Sequence, residues 1–132
     1  MDSAKIVTEF LDALEAVDGN TLAALLDEDA VYDDCHGHRI VGASAVRDAL
    51  VERASALNER FADRVLLSSQ AGDRIAVEAT LRGTYERTLD GWSKAGGQPF
   101  SVSAGLFFEV DGAKIVRFTR FLDQQALAAE LR

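Results

Sequence analysis

The chain has 132 residues, enough for one hydrophobic core and too few for two cores joined by a linker. With 48% hydrophobic and 27% charged residues it has the composition of a globular domain, which excludes a disordered or fibrous chain. Twenty-two acidic residues against 14 basic ones give a formal charge of −8, and no cluster of Lys and Arg offers the basic stripe that nucleic acid or an anionic membrane surface requires. The single cysteine, Cys35, rules out an intrachain disulfide and suits a reducing cytoplasm, which is the expected location. The start, MDSAKIVTEF, lacks a basic-then-apolar leader pattern, so the sequence is expected to be the mature protein. No apolar run reaches the roughly 20 residues of a membrane span.

There is no internal repeat and no low-complexity tract. From Ser3, an expected N-cap, the residues Ile6, Val7, Phe10, Leu11, Leu14 and Val17 recur at spacings of three and four, which predicts an amphipathic helix ending near Asp18-Gly19. Asn20 is placed to cap a short second helix through Leu26, and Asp27-Glu28-Asp29 then breaks the pattern. A short strand over 30–34, a turn at His36-Gly37-His38 and a partner strand over 39–42 form the next unit. Ser44 is expected to open a third helix carrying Val46, Leu50, Val51, Ala54 and Leu57.

After that helix the apolar period changes from 3.6 to 2. Residues 61–69, 74–85, 100–110 and 114–122 read as four long strands, with hairpin turns at 71–73 and 111–112. The stretch 88–99 with Gly91, Gly96 and Gly97 reads as a longer, more mobile loop, and 124–131 as a closing helix. Helices first and strands afterwards predict an α+β fold with helices packed on one face of an antiparallel sheet. Ile75, Val77, Ala79 and Leu81 share one face, as do Phe100, Val102, Ala104, Leu106, Phe108 and Val110, so one side of the sheet is a core wall. The other side carries Glu78, Thr80, Arg82, Ser101, Ser103 and Phe107 and is the expected homodimer face. A curved sheet capped by helices tends toward a cone that side chains do not completely fill, and small inner residues such as Ala79 and Ala104 leave room for a ligand. Phe10, Leu14, Phe100, Ala104 and Phe108 are the expected lining of that pocket.

The order helix, helix, short hairpin, helix, four long strands, with Tyr32-Asp33-Asp34 in the hairpin, resembles the nuclear transport factor 2-like superfamily. Within it the chain is most similar to SnoaL-like and ketosteroid isomerase-related proteins. The similarity covers nearly the whole chain and is carried by residues 30–34 with Ile40-Val41-Gly42, by 83–85 through Gly97-Gln98, and by 104–109 with Asp111-Gly112 and Lys114-Ile115. The resemblance implies a cone-shaped, mixed sheet of the NTF2-like or cystatin-like α+β barrel kind. It identifies fold better than activity, because the superfamily hosts isomerases, dehydratases, cyclases, epoxide hydrolases and non-catalytic proteins.

Strand alternation puts Tyr32 and Asp34 on one face. If that face is the cone interior, a carboxylate stands in an apolar cavity beside a phenol, and desolvation raises its pKa toward values useful for moving a proton from carbon. By resemblance Asp34 matches the general base of ketosteroid isomerase, whose aspartate base and oxyanion hole are a standard case. Phe10 stands where that enzyme has its tyrosine donor, and Ala104 or Gly105 where it has a protonated aspartate. The alternative role for Asp34 is turn formation. Asp123 is similar to an acid/base aspartate that SnoaL-like cyclases place near the end of their last strand, and it is equally suited to cap the helix that follows. The cyclases' upstream histidine has no counterpart.

Cys35, His36 and His38 cluster beside Asp33 and Asp34, but Gly37 predicts a turn that splays them. No other His or Cys exists to complete a metal site, so no metal is expected. His36 remains a candidate proton carrier at the pocket rim. Tyr85 and Trp92 flank the long loop and are expected to close the pocket mouth or to pack the loop down. The expectation is a cofactor-independent enzyme acting on an apolar, oxygenated small molecule, with Asp34 as base and Tyr32, His36 or Tyr85 as donors. The alternative is a module that binds a ligand or a protein without converting it.

Overall fold

The computed structural model describes residues 2–35 and 37–132. Three helices, α1 (Ser3–Glu15), α2 (Gly19–Leu25) and α3 (Ala43–Leu57), fall in the first half of the chain together with the strands β1 (Leu26–Asp33) and β2 (Arg39–Val41). β3 (Arg60–Ser68), β4 (Arg74–Tyr85), β5 (Gln98–Asp111), β6 (Lys114–Leu122) and a terminal helix α4 (Gln124–Glu130) follow.

The six strands form one sheet in the order β2-β1-β6-β5-β4-β3. All neighbours run antiparallel except β1 and β6, which are parallel, so the sheet is mixed. β2 and β3 are free edges, and the expected barrel is therefore an open, curved sheet. Register shifts in β1, β3 and β6 break the ladders locally, and such bulges bend and twist the strands around the helices. Alternation along β4 and β5 is as the apolar period predicts, with Ile75, Val77, Ala79 and Leu81 buried opposite Phe108, Leu106, Ala104 and Val102. Gly83 is required by close approach: a Cβ there would run into the backbone carbonyls of Leu57 and Asn58 and the Phe100 ring.

Helix starts differ from expectation. Asp2, not Ser3, caps α1 by accepting from the Lys5 amide, and Ser3 is buried with its hydroxyl on the Gly72 carbonyl at 2.5 Å. Asp18, not Asn20, caps α2, accepting from both the amide and the hydroxyl of Thr21. Gly42 at φ +102° opens α3 with no side-chain cap, so Ser44 lies inside the helix. Asp27-Glu28-Asp29 ends α2 as expected but belongs to β1. Leu26 pairs with Ile115 at its start, and the Asp27 carboxylate accepts from the Asp29 amide across the irregular stretch.

Inside the curve Phe108 and Phe118 stack at 4.6 Å, with Phe10 edge-on to both at 5.8 and 5.6 Å. No helix of the described residues is long and apolar enough to cross a membrane.

Candidate functional site

The hairpin β1–β2 sets the site. Tyr32 pairs with Ile40 on one side and with Phe118 on the other, so its ring stacks on Phe118 at 5.1 Å and is buried. One residue beyond β1, Asp34 turns the chain. Its Oδ1 accepts from the His38 amide at 3.2 Å, and His38 Nδ1 lies 3.0 Å from its Oδ2. Asp34 thus closes the turn and also borders a cavity. Its side chain is 19% exposed and that of His38 70%.

The cavity, of about 230 Å³, is walled by Tyr32, Asp34, His38 and Ile40 from the hairpin, by Ala49, Glu52 and Arg53 from α3, and by Leu89, Asp90 and Trp92 from the β4–β5 loop. Behind it lies a cluster that the strand pattern does not announce. Glu59, in the junction between α3 and β3, and Arg120, on β6, are each only 1% exposed. Arg120 Nη1 donates to Glu59 Oε2 at 2.6 Å, and Arg53 Nε donates to the same oxygen at 3.2 Å. The Arg120 guanidinium also lies over the rings of Phe61 and Phe118, and that of Arg53 over Trp92 at 5.4 Å.

Burial alone would raise the Glu59 pKa, but the charges and hydrogen bonds of Arg120 and Arg53 outweigh it and hold the carboxyl below its ordinary range. Burial likewise opposes the charge on Arg120, and Glu59, Tyr32 and Asp34 more than compensate, so the guanidinium is held still more firmly protonated. Five atoms of this cluster are buried without a hydrogen-bond partner among the described residues: Tyr32 Oη, Arg53 Nη2, Glu59 Oε1, and Arg120 Nε and Nη2. A buried polar group left unsatisfied costs about 1–3 kcal/mol, more when charged, so five in one place are a feature to be explained.

The other expected site residues are placed as follows. Phe10, Leu14, Phe100, Ala104 and Phe108 are all in the hydrophobic core and do not line this cavity. Tyr85 is fully buried and clamps the loop, its hydroxyl donating to the Ser93 carbonyl at 2.6 Å and accepting from the Leu89 amide at 3.0 Å. The loop is tied further by the Gly97 amide on the Tyr85 carbonyl and the Ala95 amide on the Thr88 hydroxyl. Trp92 alone of the expected lining set borders the cavity. Asp123 is exposed, does not line the cavity, and caps α4 by accepting from the Ala126 amide at 3.0 Å. His36 lies outside the described residues.

Cys35 is exposed at φ +56°, and partial desolvation together with the Asp33 and Asp34 carboxylates pushes its thiol pKa up, away from a thiolate. Among the described residues no three His, Cys, Asp or Glu side chains converge to hold a metal ion.

Arg53, Glu59 and Arg120 were not expected at the site. A signal for Arg120 does exist: it stands two residues from Phe118 on the same strand, which places a cation in the core-facing phase.

A family model described as a SnoaL-like domain matches residues 7–118. A proposed polyketide cyclase from Pseudomonas putida KT2440 is 29% identical and superposes with a TM-score of 0.94, covering 100% of this chain and 99% of its own. A second proposed polyketide cyclase, from Xanthomonas campestris pv. campestris, is 27% identical with a TM-score of 0.92 and covers 99% and 97% of the two chains. An LEH-like epoxide hydrolase from M. tuberculosis shares the fold at 21% identity and a TM-score of 0.77, over 96% and 86%. No curated protein matches the sequence.

Proposed function

Since the chain belongs to the SnoaL-like domain family, within the nuclear transport factor 2-like superfamily, we propose that it is a small-molecule enzyme that moves protons without a cofactor. The observation that carries this reading is the placement of Asp34 and Tyr32 together at the wall of one cavity. A partly buried carboxylate at a cavity wall, with a histidine on its outer side, is suited to general base work. Asp34 takes a proton from carbon next to a carbonyl. The C–H electron pair becomes a C=C bond, and the C=O π pair moves onto oxygen, where the Tyr32 hydroxyl donates to it. Return of the proton to another carbon isomerises the substrate. Loss of a β-hydroxyl as water dehydrates it, and attack of the carbanion on a second carbonyl closes a ring. Polyketide-like, apolar and oxygenated compounds meet these requirements, and the proposed cyclases among the structural neighbours support the choice.

The Asp34→Asn variant tests the reading. The Asn side chain keeps the acceptor for the His38 amide and loses the base. Turnover of a 1,3-dicarbonyl or β-hydroxyketone substrate found by screening should fall at least a thousandfold, roughly the larger contribution of a positioned base, with KM changed little. Equal turnover by the variant would refute Asp34 as base.

The partner proposed for the outer sheet face is a second copy of this chain. Phe107 and Phe121 are 48% and 50% exposed and packed edge-to-face at 5.6 Å, and Val65 and Leu67 on β3 continue the apolar surface. The register aligns Leu67, Ala76 and Phe107 in one row and Val65, Glu78 and Gly105 with Phe121 in the next. A two-fold contact would cover both rows with the same rows of the partner. Sedimentation of the wild type as a dimer and of Phe107→Glu as a monomer is the expected result.

A further inference from the structure

Trp92 is the one residue, among those described, that walls two cavities. The first is the cavity bordered by Asp34 and Tyr32. The second, of about 250 Å³, is lined by Gly91 and Ser93 of the β4–β5 loop, by Gln124, Leu127 and Ala128 of α4, and by Leu131, the C-cap of that helix. No side chain that lines the second cavity carries a charge, whereas Asp34, His38, Glu52, Arg53 and Asp90 all line the first. A ligand spanning both would place a polar head in the first and an uncharged, largely apolar tail in the second.

The indole is braced, and the backbone that carries it is pinned. The Arg53 guanidinium lies 5.4 Å over the ring and is itself tied to the buried Glu59 carboxylate at 3.2 Å. The fully buried Tyr85 ring stands 6.1 Å from the indole. Its hydroxyl donates to the Ser93 carbonyl and accepts from the Leu89 amide, so one atom fixes the chain on both sides of Trp92. The Trp92 amide closes a turn on the Leu89 carbonyl at 3.0 Å. None of these loop bonds involves the indole, so removing the ring would open space between the cavities and leave the loop in place.

We infer that Trp92 is a specificity-determining residue: a partition that confines ligands to the first cavity, limits the length of apolar tail they can carry, and closes off the α4-side cavity as a tail subsite. The inference rests on the reading of the first cavity as the ligand site and adds to it a limit on ligand size. The limit is a property of binding and does not depend on the reaction. A tail that leaves water gains roughly fourfold in affinity for each methylene buried. The partition therefore has a measurable signature: the gain continues while methylenes find room in the first cavity, and it stops at the indole.

The probes are the straight-chain methyl ketones from butanone to decanone, with affinity measured by titration calorimetry. Position is read by NMR from the isotope-labelled methyl groups of Ala49, which lines only the first cavity, and Ala128, which lines only the second. In the wild type, affinity should rise with chain length and then level off, with Ala49 shifting and Ala128 silent for every ketone. In Trp92→Ala the rise should continue and Ala128 should shift. Decanone should bind this variant at least tenfold tighter than the wild type, roughly the gain from two more buried methylenes. Trp92→Phe should restore most of the limit. Trp92→Leu keeps an apolar side chain against Arg53 and Tyr85, should extend the rise in the same direction, and serves where Trp92→Ala fails to fold.

An unbroken rise through decanone in the wild type, or a shift of Ala128 on binding it, would show that tails already pass the indole and would overturn the partition. Equal length limits in the wild type, Trp92→Ala and Trp92→Leu, with Ala128 silent throughout, would overturn it as well, because something other than the indole would then separate the cavities. If no ketone moves Ala49, the first cavity is not a ligand site, and both this inference and the proposed function fall. Wild-type turnover by Asp34→Asn, in contrast, refutes the base and leaves the length limit standing.

Discussion

Phe118 and Arg120 stand two residues apart on β6, equally buried, in opposite surroundings. Around Phe118 the rings of Phe108, Phe10 and Tyr32 close on one another at 4.6 to 5.6 Å, and apolar area leaves water with no polar group stranded. Around Arg120 the contacts are ionic, and three of the unsatisfied atoms belong to Arg120 and Glu59 themselves. A buried ion pair is a weak source of stability, because desolvating both charges offsets most of their attraction. One end of the cup thus holds the fold together, while the other keeps a costly arrangement beside the cavity. Where stability does not explain a buried network, function is the better account.

The largest expected effect breaks the ionic end. Glu59→Ala leaves Arg53 and Arg120 as like charges with no carboxylate between them. Urea denaturation should show a loss of about 3–5 kcal/mol, the usual cost of removing one partner of a buried pair. Phe118→Ala should cost a similar amount, about 3–5 kcal/mol, by leaving a cavity. The two ends separate under paired replacement. Glu59→Leu combined with Arg120→Met puts apolar groups in place of both charges and should bring stability back to the wild-type level or above it, whereas nothing comparable rescues Phe118→Ala. A double variant as unstable as Glu59→Ala would show that the network is structural.

Acid sharpens the same contrast by a smaller amount. Glu59 titrates at its ordinary value of 4.5 when unfolded and lower when folded. Above pH 4.5 its contribution to stability is fully present. As pH falls below 4.5 the unfolded chain takes up the proton first, so stability drops until the folded value is passed. The midpoint of urea unfolding should therefore fall below pH 4.5 in the wild type and fall less steeply in the Glu59→Leu, Arg120→Met variant.

The strands were legible because one face of the sheet is a core wall, so the bounds of β4 and β6 follow the apolar period. The helix caps were less so. Ser3, Asn20 and Ser44 are capable of capping, but so are Asp2 and Asp18, which lie one and two residues earlier, and tertiary contacts decide between them. At the site, Tyr32 and Asp34 border one cavity, though Asp34 is held there by the turn after β1 and not by the strand itself. Arg120 shares the phase of Phe118 but not that of Ile115, because the extra β6 residue opposite Glu109 and Val110 shifts the alternation between them, and Phe118, Thr119 and Arg120 are then buried in succession. Glu59 sits between helix and strand, where neither period applies, and only the left-handed turn at Asn58 sends it inward.

The smallest effect concerns two aspartates in equivalent positions. Asp34 follows β1 and Asp123 follows β6, each one residue past the strand's end. A cap needs only a short side-chain acceptor, so Asp123→Ala should cost about 1 kcal/mol and Asp123→Ser should regain most of it. Turnover of the substrate that tests Asp34 should be the same in both variants, since Asp123 is exposed and does not line the cavity. A base is not replaceable in this way: its conservative substitute keeps the turn and loses the proton. If Asp123→Ser retains stability yet abolishes turnover, then Asp123 acts in the chemistry as well as in the cap, and the division between a structural and a reactive carboxylate does not hold.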